Sequence, residues 1–477
     1  MAAVLALSCG ATGLAGVDRE PVEVPPPPAC RLEWIAEETL GGLTHDGVTI
    51  QMIPAEPARL FVEYRREGEP RWHATPSQQV DADQAARFRL SGLPPAVYRY
   101  RIRCVEEPAT GPIVFAGEPA SVRPEHRFVI PAPGSEFHFV FVTDSHVYKH
   151  WSRGSDLQAF DRARATIRAL GPALIVLGGD EVMTHCIRCP EAAVDGESAG
   201  ADTIRSQREA ELRYRQWLRL WSPLFADIPA ALVLGNHDGE AGFGDAEGRC
   251  GHWLETPAAS AAARRKYLPG DPAAVPGGPG DRYRAFVTGD ALFVLLDVMG
   301  ETPVFPESPD DWTLGAAQLA WLEQTLETSD ARWKLVFLHH LAGGVDGRRR
   351  CYSYGRGSLR ATVDGNPDSP FLGEQQQLHT LFVRTGVQAV FQGHDHVFAA
   401  GRRDGILYLV GGRPTAQEDS GWIAADWFRE LYDQDLDGAP DFLAGPGFVD
   451  VTLAPAEARI RYLGADGDTL FEETLDP

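Results

Sequence analysis

Five short motifs place metal-binding or proton-carrying side chains directly after apolar runs: DSH at 144–146, GGD at 178–180, GNHD at 235–238, LHH at 338–340 and GHDH at 393–396. Their donors are imidazole nitrogens, carboxylate oxygens and one carboxamide, a set that suits Mn, Zn or Fe rather than a soft, thiolate-bound ion. Two such ions about 3.5 to 4 Å apart could share a carboxylate and a hydroxide, the arrangement used for in-line displacement. A single histidine at a strand end is usually just a hydrogen-bonded core or surface residue. Five donor-bearing ends in order are what carry the reading.

Those donors need a scaffold that brings distant residues together. From Phe137 onward, apolar runs such as FHFVFV, ALIVL, AALVL, WKLVF and QAVFQ alternate with helix-patterned stretches such as DLQAFDRARATIRAL, REAELRYRQWLRLW and AQLAWLEQTLE. That alternation predicts a layered α/β architecture. In such sheets ligands bind beyond the carboxyl ends of the strands, where all five motifs stand. Three long segments, 183–205, 239–282 and 342–373, interrupt the pattern, and loops of that length are usually lids or disordered. Residues 30–130 instead read as short period-2 runs (GVTIQMI, RLFVEYR, ARFRLSGL, VYRYRIRC, HRFVI) with turn residues between them, which predicts a small β-sandwich. FRLSGLPPAVYRYRIRC resembles the closing strands of a fibronectin type III domain. That pattern concerns packing and carries no chemistry. PAPGS, 131–135, is the expected linker.

The ordered motifs resemble those of the calcineurin-like metallophosphoesterase superfamily, strongly over about 136–412 and more loosely in the closing GFVDVTLAPAEARIRYLGADG. The resemblance implies a four-layer α/β/β/α sandwich over 136–477. It implies one metal on Asp144, His146, Asp180 and His396, and a second on Asp180, Asn236, His339 and His394, with Asp180 as the bridge. It implies that His237 contacts the phosphoryl oxygen or protonates the leaving alkoxide, with Asp238 orienting its ring. His340 is then left to support the ligands from behind or to face substrate. In layout the chain is most similar to the purple acid phosphatase branch, with two departures. Met183 stands where that branch has a tyrosine ligand, and His146 fills a position where it usually has none. Iron with tyrosinate colour is therefore not expected, and Mn or Zn gains weight.

The remaining features narrow the function. With 67 acidic and 44 basic residues the net charge is -23, a field that repels nucleic acid and anionic membranes, so something other than the average charge must attract an anionic substrate, and bound metal ions are the foremost candidate. No run approaches the roughly 20 apolar residues of a membrane span. MAAVLALSCGATGLAG followed by VDREPVEVPPPPA reads as an export signal and a proline-rich tether over 1–29. LALSC resembles a lipobox with Cys9 as the lipidated residue, although Ala6 replaces the usual leucine; a cleaved signal is the alternative. Extracytoplasmic location permits disulfides, and Cys30 with Cys104 is the favoured pair, while the CxxC of Cys186 and Cys189 could serve zinc or redox chemistry but, lacking a second CxxC, is read as a loop staple. His150, His185 and Arg356, within the arginine-rich RRRCYSYGRGSLR, are candidate substrate contacts. Asp433, Asp435, Asp437 and Asp441 have the spacing of a calcium loop without its closing glutamate. The expected activity is hydrolysis of a small phosphomonoester. A phosphodiester or nucleotide pyrophosphate is the alternative substrate, and a non-catalytic binding or adhesion protein that keeps its metals for structure is the rival from another class.

Overall fold

The computed structural model describes residues 30–105, 120–147, 156–184, 193–194, 197–198, 204–240, 256–270, 278–302, 313–345, 351–355, 373–415, 423–433 and 441–477. Two mixed sheets face each other. In the first, the strands Phe137–Val142, Leu174–Leu177 and Ala230–Leu232 run parallel and adjacent, and the antiparallel strands Gly447–Leu453, Ala458–Gly464 and Thr469–Leu475 extend it on one side. In the second, Ala291–Leu295, Trp333–Phe337, Ala389–Gln392 and Ile406–Gly411 are parallel neighbours, edged by the antiparallel strands Arg284–Thr288 and Phe398–Arg403. Parallel strands need both faces covered, which is why these runs are apolar throughout instead of alternating.

Between the sheets lies a layer of aromatic rings. Phe337 and Phe391 stack with centroids 4.7 Å apart, and Phe141 and Phe139 meet Phe391 edge-on at 5.5 and 5.8 Å. The helices Leu157–Leu170, Gln207–Phe225 and Thr256–Tyr267 cover the outer face of the first sheet with Phe160, Trp217, Trp221 and Phe225. Gly315–Thr328 and Gly373–Thr385 cover the second through Leu322, Leu326, Leu378 and Phe382. The result is the four-layer α/β/β/α sandwich. The segment 239–282 is not wholly loop, because it contains the third of these helices, and the strands Leu341–Val345 and Cys351–Gly355 pair antiparallel.

The described strands of residues 30–130 fall into two sheets. One of them is not self-contained. The strands Trp34–Thr44, Gly47–Pro54 and Ala86–Leu90 continue the first catalytic sheet through a parallel pair, Gly41 with Ala230. Thus the linker at 131–135 does not mark a break in that sheet. A hydrogen bond from the Tyr100 hydroxyl to the Ala226 carbonyl (2.7 Å) and one from the Gln51 side-chain N–H to the Lys266 carbonyl (3.0 Å) tie the same region to the helices. Burial extends continuously from Leu60, Val62 and Ile102 to Phe139 and Phe391.

Cys30 and Cys104 are bonded, with Cα atoms 5.9 Å apart and 74 positions between them. Closing a loop of that length restricts the unfolded chain, an effect worth about 2–4 kcal/mol. Reduction, or the paired change Cys30→Ser and Cys104→Ser, is expected to lower the denaturant midpoint accordingly. An unchanged midpoint in both would show that the bond contributes nothing to the fold.

Candidate metal centre

The parallel strands of both sheets end at one place, and there the chain turns sharply. Asp144, His146, Asp180, His394 and His396 all have left-handed backbones, with φ of 54°, 40°, 55°, 72° and 60°. Non-glycine residues avoid that region, at a cost on the order of 1–3 kcal/mol each, and such strain gathers at functional sites. Two glycines make the turns fit. A Cβ on Gly393 would stand 2.1 Å from Thr143 Oγ1 and 2.7 Å from Asp144 Oδ2, and one on Gly235 would stand 2.3 Å from Asp180 Oδ1.

The buried ligand atoms of Asp144, His146, Asp180 and His396 gather within 4.8 Å of one another, and those of His339, His340 and His394 form a second such group. Asp180 joins the two: its Oδ2 is 3.6 Å from His146 Nε2 and 3.3 Å from His339 Nε2. Its other oxygen accepts the His237 backbone N–H at 2.7 Å. Asn236 Oδ1 lies 3.2 Å from His339 Nε2, completing the second set. His394 and His396 therefore serve different groups, while the Asp395 carboxylate between them turns aside to accept the Tyr432 hydroxyl.

These residues fit a metal pair. Asp144 Oδ1 is buried with no hydrogen-bond partner among the described residues and faces His396 Nε2 at 3.3 Å, whereas its Oδ2 is held by the Thr143 hydroxyl and the His394 N–H at 2.7 and 2.8 Å. The His339 ring hydrogen-bonds through Nδ1 to the Gly178 carbonyl at 2.8 Å, which fixes its tautomer and aims Nε2 at Asp180 and Asn236. Burial alone would raise the Asp144 and Asp180 carboxyls, yet the surrounding imidazoles, His339 foremost, hold both well below the usual range. Burial, with His146 beside it, pushes His396 down to about 3, so its ring is neutral at physiological pH. His339 goes the other way: burial opposes the charge, but Asp180 and Asp144 outweigh it and raise the ring to about 10.

Two expectations change. Asp238 does not orient the His237 ring. Its Oδ2 accepts the Asp180 and Gly235 N–H groups at 2.9 and 2.8 Å, and its Oδ1 accepts those of Glu181 and Val182 at 3.0 Å each. It clamps the GGD turn to the GNHD turn, and the cost appears as a carboxyl raised to about 6 by burial and by Asp180. His340 is fully buried, its ring centroid 4.1 Å from that of His394, so it belongs with the ligand group and not with a substrate surface. His237 is half-buried, 5.6 Å centroid to centroid from His146. His150, His185, Arg356, Asp435 and Asp437 lie outside the described residues, as do Cys9, Cys186 and Cys189; Asp433 and Asp441 are described only at the two edges of that acidic turn.

Two participants carry no motif signal. Glu181 accepts from the Ser145 hydroxyl and Trp217 Nε1 at 2.5 and 3.3 Å, and burial pushes its carboxyl well above the usual range. Arg413 is buried within the field of Asp144 and Asp180. Its Nε donates to the Thr415 hydroxyl (2.8 Å), which in turn donates to the Ser145 carbonyl (2.6 Å) and so braces the DSH turn. The only available signal was position, since Glu181 adjoins a motif and Arg413 follows a strand end.

In the metal-free protein, the raised His339 contributes stability that is fully present below pH 6.5 and lost as pH rises through about 10. A metal ion must displace that proton. Uptake of Zn or Mn at pH 7.5 is therefore expected to release protons and to weaken as pH falls. Calorimetry in buffers of different ionisation enthalpy measures the release, and a value of zero would contradict this electrostatic picture.

Comparison with known proteins places the chain among others. The family model described as calcineurin-like phosphoesterase matches residues 137–398. No curated protein matches its sequence closely enough to count as a relative. Among solved structures, that of PhoD is similar with a TM-score of 0.63 at 16% identity, covering 92% of this chain and 88% of that one. The purple acid phosphatase PPD1 from yellow lupin (Lupinus luteus) seeds has a TM-score of 0.62 at 14% identity, covering 92% and 74%. At such identities the likeness concerns the fold.

Proposed function

Because the chain belongs to the calcineurin-like phosphoesterase family, we propose that this metal-dependent hydrolase acts on small phosphate monoesters. The observation that carries the reading is Asp180, set between two buried histidine groups, with His237 standing half-exposed beside them. Asp144, His146, Asp180 and His396 would hold one ion, and Asp180, Asn236, His339 and His394 the other. Such a pair supplies a nucleophile from water near neutral pH and positive charge for a phosphoryl group.

The chain's own residues do the rest. His237 is the one motif imidazole not fully buried, so it is the ring that reaches substrate, to hydrogen-bond a phosphoryl oxygen or protonate the leaving alkoxide. The Asp238 clamp and the bond from the His237 N–H to Asp180 fix its turn against the carboxylate that would be shared by the two ions. A site that only stabilised the fold would have no need of His237. The likeness to a purple acid phosphatase structure supports a monoester as substrate. Met183 is buried where that branch has its tyrosine, and His146 stands 3.6 Å from Asp180, which supports Mn or Zn over an iron–tyrosinate pair. The Cys30–Cys104 bond supports location outside the cytoplasm, with residues 1–29 as signal or lipid-anchored tether and the N-terminal sandwich as a fibronectin type III-like unit.

With Mn or Zn, the purified protein is expected to hydrolyse p-nitrophenyl phosphate faster than the bis-p-nitrophenyl diester. His237→Ala should lower kcat by about 10²–10⁴-fold with metal content unchanged. A faster diester reaction would move the substrate class, and a fully active His237→Ala would remove that residue from the chemistry. Iron-loaded protein is expected to show no intense visible tyrosinate band; a band that bleaches on reduction would overturn the assignment of Met183.

A further inference from the structure

A second concave site lies on the flank of the sheets, and none of the motif donors lines it. This cavity, of about 330 Å³, is walled in part by Leu177 and Leu234, the residues just before the GGD and GNHD turns. Five arginines, Arg87, Arg264, Arg265, Arg282 and Arg284, line it against a single acid, Asp281. Such a concentration is out of character in a chain of net charge -23.

Three of these arginines are matched by carboxylates. Arg264 binds Glu240 at 2.5 Å and Asp281 at 2.8 Å, Arg265 binds Asp281 at 2.9 Å, and Arg282 binds Asp297 at 2.6 Å. Arg87 differs. Its Nε donates to Gln51 Oε1 at 2.6 Å and its Nη2 to the Arg265 carbonyl, both neutral acceptors, and no carboxylate reaches it among the described residues. Two of its five N–H donors are thus spent on fixing the guanidinium in place, half-buried and without a counter-charge. Holding a cation in that state is costly unless an anion joins it.

We propose that this cavity is an accessory oxyanion site, which takes a phosphate-sized group from a small molecule on Arg87 and the neighbouring guanidiniums. Arginine matches phosphate oxygens bidentately, and the volume is at the small end of the range for small-molecule pockets, about 300–1,000 Å³. Free phosphate and a phosphorylated small molecule share this chemistry. The site is distinct from the metal centre and does not rest on the reaction proposed for it.

The test is calorimetric titration of the metal-loaded full chain at low ionic strength, with inorganic phosphate in one arm and a non-hydrolysable alkyl phosphonate in the other. Two classes of phosphate site are expected. One should be lost in Asp144→Asn. The other should survive that change and weaken about 10- to 100-fold in Arg87→Gln, and measurably in Arg265→Gln, whose exposed position leaves the fold intact. Tighter phosphonate binding at the surviving class assigns it to a phosphorylated molecule; tighter phosphate binding assigns it to the free ion. Unchanged affinity in both arginine variants, or a single class that disappears with Asp144→Asn, overturns the proposal. Absence of esterase activity would count against the metal-centre reading and leave this second class untouched.

Discussion

Two carboxylates, Asp144 and Asp180, are completely buried where the two sheets meet, and the rest of the catalytic domain is arranged around making that tolerable. An ionised carboxylate removed from water without compensation costs several kcal/mol or more. Here the compensation is imidazole. His339 stands 3.3 Å from one acid and 4.0 Å from the other, with His146 and His396 closing the ring. The motifs must therefore converge from both sheets, since Asp144 and Asp180 follow strands of the first while His339, His394 and His396 follow strands of the second.

Convergence has a conformational cost. At the strand ends the chain turns sharply, and five of the donor residues are left-handed. What keeps these turns from relaxing is hydrogen bonding from behind. Asp238 collects four amides from two turns, Asp144 takes the His394 amide, and the Arg413–Thr415 pair holds the Ser145 carbonyl. Beneath them the stacked Phe337 and Phe391 and the edge-on Phe139 and Phe141 set the spacing between the sheets. Ligand geometry is thus inherited from core packing.

How much of this was legible in the sequence depends on whether a residue's role follows from local pattern. The donors were legible because each follows an apolar strand, and the fold's rule that strand ends converge needs no further information. The layered architecture was legible for the same reason, through runs such as FHFVFV that lack alternation. The continuity of Trp34–Thr44 with Ala230–Leu232 was not, because a pairing between segments almost 200 residues apart rests on a single register, Gly41 with Ala230, and leaves no periodic mark. Asp238 was misjudged because adjacency to His237 implied a partner, while the turn Asn236–Asp238 points neighbouring side chains in different directions. Arg413 was invisible, since its function depends on a bond to Thr415 and a field from residues some 230–270 positions earlier.

The opposite shifts of His339 and His396 show how one site can hold identical side chains in different states. Both are buried, so desolvation disfavours the charged ring in each. His339 faces two carboxylates and keeps its proton. His396 faces Asp144 as well, but it also lies beside His146 and within the field of Arg413, and the added positive charge tips it to neutral. In the metal-free chain the centre thus holds His339 protonated between its acids while His396 stays neutral. A metal ion binding there would have to displace the proton held at His339, while His396 carries no charge to lose, so loading is a proton exchange at one end of the centre and not at the other.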